Sequence, residues 1–214
     1  MSDLDEILDV LDDDGEVTGQ KPRGLVHRDH DRHGLVFVWS AWKMDGRSVM
    51  LLQRRGRRGD PFAAQVDALA GGHIGAGETP VDAARRELME EVGATAGPDD
   101  FVHLGSNHMD RPTGQCRRIV QHQLLYPVPL DLERLAFSPE VDGLYQVDLH
   151  EFSAVVLGER VSVSARARLA EDDGVVDVQL PHSAIADYPD AILDTFRRSL
   201  AAVIEWLEGG NAGQ

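Results

Sequence analysis

The stretch from Gly72 to Ala94, GHIGAGETPVDAARRELMEEVGA, constrains this chain more than any other part of it. Two glycines, Gly71 and Gly72, lead into a segment whose helix signals come in order. Thr79 can cap a helix, Pro80 suits the first turn because no N–H is needed there, and Asp82 completes an imperfect capping box. Gly93 ends it. Between these limits Val81, Ala84, Leu88 and Val92 recur at i, i+3, i+7 and i+11, a stripe that buries against a sheet. Beside the stripe stand Glu87, Glu90 and Glu91, which crowd three carboxylates onto one rim. Like charges at i and i+4 cost a few tenths of a kcal/mol unless a cation sits among them. A hard divalent ion fits, because Mg²⁺ takes oxygen ligands and shares itself between carboxylates and substrate phosphates. The plainer alternative is a solvated acidic helix face. Glu78 at the helix mouth, and Arg86 placed to pair with a carboxylate, argue against it.

Composition narrows the functions available. The 214 residues suffice for one domain with a full core, with an appended element at the C-terminal end. With 21 Lys and Arg against 37 Asp and Glu, the net charge is −16, which repels a nucleic-acid backbone over most of the surface. A phosphorylated small molecule would then need a local basic patch and a metal. Cys116 is the only cysteine, so no internal disulfide or thiolate zinc cluster forms, and a reducing cytoplasm is the expected setting. The amino-terminal residues MSDLDEILDV do not read as a signal peptide, and no apolar run is long enough for a membrane span.

Along the chain, an alternating pattern around Asp14-Gly15 predicts an N-terminal hairpin, with Asp12 to Asp14 in its solvated turn. Leu35 to Trp42 and Val49 to Arg54 are the best strands. Further strand-like runs cover 101–105, 117–128 and 144–147, and a short apolar segment covers 152–157. Beyond Gly158, runs at 161–169 and 175–180 precede a helix from about Pro189 to Leu207, with Ile192, Phe196, Leu200, Val203 and Leu207 as its stripe. This tail, 159–208, is either packed on a core of about 1–158 or used in self-association as a homodimer. Trp39, Trp42, Phe62 and Tyr145 read as core before pocket wall.

The window from Gly72 fits G-x5-E-x7-R-E-U-x-E-E-x-G-U, U being aliphatic, and is identified as a Nudix box. With seven fixed letters at roughly 5–7% each, chance supplies such a window about once in a billion tries. The resemblance implies an α/β/α sandwich of the α+β class, with a central mixed sheet and a loop-helix-loop. It also implies metal held by Glu87, Glu90, Glu91 and a backbone carbonyl at Gly71, with Arg86 orienting Glu78 behind them. The first 150 residues, with LLQRR and then GGHI before Glu78, resemble the Nudix branch related to isopentenyl diphosphate isomerases. In those isomerases, histidines matching His27, His33 and His73 bind a metal together with later acidic residues. Here the matching stretch, Gln121 to Gln123, has no carboxylate, and Gly71 stands where the isomerases have their cysteine. The three histidines therefore either hold a metal, or hydrogen-bond the substrate diphosphate and shape its pocket. His30, His103, His108, His122, His150 and His182 read as surface residues, and Cys116 as a bystander.

For phosphate binding the basic candidates are Lys21 and Arg23 after the hairpin, Arg54 and Arg55 after a strand, and Arg57 and Arg58 in the following loop. Arg54 is preferred among them. The expected activity is Mg²⁺-dependent hydrolysis, with Mn²⁺ as substitute, of the diphosphate linkage in a nucleoside diphosphate derivative or another organic diphosphate such as an isoprenoid one. Glu90, Glu91 and Glu140 are the candidate bases. An isomerase is opposed by Gly71, and a noncatalytic Nudix-like sensor by the intact box.

Overall fold

A computed structural model describes residues 3–56, 62–110, 118–172 and 174–209. The strands β1 (Ile7–Leu11) and β2 (Val17–Pro22) form the N-terminal hairpin, with Gly15 at φ +87° in its turn, where a side chain would be strained. A short helix, α1 (Arg23–Asp29), follows directly; the sequence gives no capping signal for it, and none of its N-terminal N–H groups has a side-chain cap. Then come β3 (His33–Met44), β4 (Arg47–Arg55), β5 (Val66–Asp67) and β6 (Ala70–His73), and next α2 (Pro80–Val92), the helix of the box. β7 (Val102–Asp110), β8 (Arg118–Tyr126) and β9 (Val141–Asp148) lead to α3 (Leu149–Val156), which is what the apolar run at 152–157 becomes. The chain continues through β10 (Ser162–Leu169), β11 (Val175–Pro181) and α4 (Asp190–Glu208).

Among the described residues nine strands make one mixed sheet in the order β11-β10-β9-β4-β3-β8-β7, with β5 on β4 and β6 on β3. Only β3 and β8 run parallel among these pairings. β3 and β4 pair from Ser40 to Met44 and then part, and the segment carrying β5 and β6 fills the gap. That parting brings the Gly71-Gly72 pair into the middle of the sheet.

Strand alternation gives each face its own core. Val36, Val38, Leu51 and Leu124 turn towards Ala84, Leu88 and Val92 of α2. Trp39, Met50, Leu52 and Tyr145 turn the other way, onto α3 and α4. The tail thus adds two strands to the sheet and lays α4 across it, with Phe196, Leu200, Val203 and Leu207 inward. Trp39 meets Phe196 edge-on at 5.2 Å, and the Trp39 indole N–H and the Ser199 hydroxyl both donate to Gln123 Oε1. This satisfies polar groups that burial would otherwise penalise. No helix among the described residues is long and apolar enough to cross a membrane.

Candidate active site

The box helix is capped as its letters require: the Asp82 N–H donates to Thr79 Oγ1 at 3.1 Å, and Gly93 takes the left-handed conformation at φ 70°. What this places is a carboxylate pair, not a rim of three. Glu87 and Glu91, one turn apart, are buried at 9% and 6% exposure, whereas Glu90 points outward. Of the three acids expected on the rim, Glu90 alone lies there, and the placement of Glu87 and Glu91 is corrected. The helix rolls onto the sheet far enough that i and i+4 face the parted strands while i+3 meets solvent.

Glycine makes room for this. A Cβ on Gly72 would lie 2.0 Å from Glu87 Oε1, so the carboxylate occupies the space of the missing side chain. Desolvation pushes the Glu87 carboxyl up to about 7, with Arg86 opposing, and pushes Glu91 well above the usual carboxylate range, with the charge of Glu87 adding to it. From β4, the Gln53 amide donates to Glu91 Oε2 at 2.8 Å.

Arg86 ties the arrangement together. Its guanidinium forks onto Glu78 at 3.0 Å and 3.0 Å, and also donates to Glu87 at 2.7 Å, to Glu90 at 3.3 Å and to the His73 carbonyl at 2.9 Å. Glu78 in turn accepts the Gly75 N–H. One cation is thus spread over three carboxylates and leaves Glu91 to Gln53. Two acids that burial holds towards neutrality, on a glycine-cleared backbone, form a donor set suited to a hard divalent ion.

The loop after β8 brings in Glu140. The Ala136 and Ser138 N–H groups donate to the Val92 and Glu91 carbonyls, and Gly56 N–H donates to the Glu140 carbonyl at 2.7 Å. Glu140 lies near enough to raise Glu91 further. Glu6, which the sequence reading did not single out, also belongs here. It meets Arg23 at 3.5 Å, feels the charges of Arg86 and Glu78, and sits on a hairpin joined to the box loop by the Ala76 N–H to Ile7 carbonyl bond. Nothing in its local sequence marks it, because only the folding back of β1 puts it there.

The basic candidates separate. Gln53 faces Glu91, so the next residue, Arg54, faces away: it binds Glu171 at 3.1 Å and the Asp142 carbonyl at 3.1 Å on the other side of the sheet. Lys21 pairs with Asp31 at 2.6 Å and Asp29 at 3.3 Å. Arg55 returns to the box face, where its charge offsets a little of the rise at Glu91, and it binds Asp67 at 3.1 Å. Arg57, Arg58 and Cys116 lie outside the described residues.

His27 from α1, His33 at the start of β3 and His73 at the end of β6 converge, with one ligand atom from each lying within 4.8 Å of the others. His27 is therefore on a helix. The Nε2 atoms of His27 and His73 are 3.1 Å apart, and His33 stacks on His73 at 5.2 Å. His33 Nδ1 lies 3.0 Å from the Asp31 carbonyl, and its buried Nε2 has no hydrogen-bond partner among the described residues. Desolvation lowers all three, His27 to about 4, with the charges of neighbouring histidines or of Arg23 adding to it. Because His73 follows Gly72 on β6, the cluster lies across the strand from Glu87.

A NUDIX domain model matches residues 31–191, and the chain belongs to that family. Nudix hydrolase 3 of Arabidopsis thaliana is 35% identical over 156 residues, which are 69% of this chain and 20% of that protein. An uncharacterized Nudix hydrolase of Streptomyces coelicolor, SCO1686, is 42% identical over 98 residues, 46% of this chain and 52% of that one. The chain thus spans about a fifth and about half of these relatives. Among solved structures, DR0079 of Deinococcus radiodurans aligns with a TM-score of 0.49 at 22% identity, covering 72% of this chain and 90% of that chain.

Proposed function

We propose that the protein hydrolyses the diphosphate linkage of an organic diphosphate with Mg²⁺, or Mn²⁺ in its place, held by Glu87, Glu90, Glu91 and the Gly71 carbonyl. The observation that carries this reading is the buried Glu87 and Glu91 pair set against Gly72, with Arg86 spent on Glu78, Glu87 and Glu90. When bound, such an ion supplies positive charge to the bridged phosphates. Glu78, through Arg86, fixes the approach of Glu87, as a supporting shell does for a ligand. Arg55, on the same face, offers guanidinium donors to phosphate oxygens. Water attacks one phosphorus, the bridging oxygen leaves with the electron pair, and the proton of the water passes to a carboxylate. Glu91 and Glu140 are close enough for the charge of Glu140 to act on Glu91, and these two are the candidates for that role.

For the histidine cluster we favour a second divalent ion of nitrogen preference, such as Zn²⁺. Three imidazoles kept neutral by burial are weak partners for phosphate and good lone-pair donors, and His33 Nε2 has no partner among the described residues. Hydrolysis is favoured over isomerisation because a Cβ at Gly71 would meet the Val36 carbonyl at 2.8 Å, which leaves no room for a thiol.

The test is metal-dependent phosphate release from a panel of nucleoside and isoprenoid diphosphates in ¹⁸O-water. The label is expected on a phosphate product from at least one substrate. Label on the carbon fragment, or deuterium entering the methyl group of isopentenyl diphosphate in deuterated water, would overturn the reading.

A further inference from the structure

The C-terminal tail contributes more than packing. Between β11 and α4 the chain turns back to the parted strands, and Tyr188 reaches the carboxylate of Asp67. Its hydroxyl donates to Asp67 Oδ2 at 3.1 Å, and Arg55 Nη1 donates to the same oxygen at 3.1 Å. Asp67 Oδ1 accepts the Ala68 N–H at 2.8 Å, so a buried carboxylate is bonded on both oxygens. The neighbouring Asp187 clamps Gln65 twice, accepting from its amide at 3.1 Å and donating its own N–H to Gln65 Oε1 at 3.2 Å. Gln65 also accepts the Arg55 N–H through its carbonyl, at 2.9 Å. The tail therefore holds Arg55 by two routes, one through backbone and one through side chains.

Arg55 is well placed to use this. It lies two residues beyond Gln53, on the same face of β4, and its neighbour Gly56 is bonded to Glu140. The Glu91 carboxylate feels the charge of the guanidinium that Asp67 aims, and the backbone of Glu140 is tied to the strand end that carries it. We propose that Tyr188 is a positioning residue for the diphosphate site, acting through Asp67 on Arg55. The C-terminal extension is then a part of the phosphate-binding apparatus. A long cationic side chain at a strand end has many rotamers, and an aligned buried carboxylate removes most of them before substrate arrives, which lowers the entropy cost of binding. Tyr188 keeps that carboxylate aligned, and its ring is seated against Phe62 at 4.9 Å and Phe196 at 5.4 Å.

The proposal rests on the diphosphate reading, and its test separates the two. The probes are Mn²⁺ alone and methylenediphosphonate with Mg²⁺, with binding measured on the full chain. Tyr188→Phe keeps the ring packing and removes one donor. It is expected to weaken the diphosphonate about two- to tenfold, the scale of one hydrogen bond, and to leave Mn²⁺ affinity unchanged. Arg55→Ala should weaken the diphosphonate on the order of tenfold or more, and in that background Tyr188→Phe should add nothing. Asp67→Asn, which removes the charge facing Arg55, should reproduce the selective loss. Equal losses for Mn²⁺ and diphosphonate would mean general damage to the fold and overturn the proposal. So would independent, multiplying effects of Tyr188→Phe and Arg55→Ala. A loss with Arg55→Ala and none with Tyr188→Phe would overturn the positioning role alone. A wild-type protein that binds Mn²⁺ but not the diphosphonate would overturn the phosphate reading together with it.

Discussion

Replacing Glu87 by glutamine should stabilise the metal-free protein, although it removes a proposed metal ligand. The Glu87 carboxyl is held at about 7 in the folded state against an ordinary 4.5, mainly by desolvation. An acid with a raised folded-state pKa binds more protons folded than unfolded between those values, so stability falls as pH rises from 4.5 to 7 and levels off above. At about 1.4 kcal/mol per pH unit the loss is about 3 kcal/mol. The side chain is only 12% exposed, so solvent screens little of this. Glutamine carries no charge to desolvate, keeps an oxygen for Arg86 Nη1, and relieves Glu91 of a neighbouring charge. In EDTA at pH 8, Glu87→Gln should therefore melt higher than wild type by roughly 6–12 °C, the scale of 3 kcal/mol for a chain of this size. The gap should close towards pH 5. Added Mg²⁺ should raise the wild-type melting temperature by linkage and leave the variant nearly unmoved. Calorimetry or dye-based melting reads all three. A variant that melts no higher than wild type at pH 8 without metal would refute the claim that a desolvated charge waits at this position for a cation.

Three further outcomes follow from the same geometry. Gly72→Ala puts a Cβ where Glu87 Oε1 lies, so the carboxylate must swing away; Mn²⁺ binding followed by paramagnetic resonance should weaken by tenfold or more, on the order of one ligand's worth, while circular dichroism stays native. Arg86→Lys loses the fork onto Glu78 that a single ammonium cannot reproduce, and metal-dependent phosphate release should fall by about ten- to a hundredfold with little change in urea midpoint. Leu88→Asp buries an unpaired charge where the leucine is fully enclosed, and urea unfolding should show a loss of about 4 kcal/mol or an unfolded chain.

The box helix was legible because its signals are local. A threonine cap, a proline in the first turn, a stripe at helical period and a closing glycine each act within four residues, and the helix spans Pro80–Val92 as those letters imply. The pairing of Arg86 with Glu78 is likewise short-range, eight residues apart along a loop and one helix. Which carboxylates are buried was not legible: Glu87 and Glu91 turn inward and Glu90 outward only because of how α2 sits on the parted β3 and β4. Arg54 and Arg55 are adjacent letters of one type, and strand alternation sends one to Glu171 and the other to Asp67. The meeting of His27, His33 and His73, 46 residues apart at its widest, needs α1, for which the sequence carries no cap. Tyr188 reaches Asp67 across 121 residues, and no local propensity encodes a contact of that kind. The chain by itself thus determined the helix, its acids and the family they mark. Tertiary structure decided which charges lose their water, because desolvation depends on what the rest of the sheet brings over them.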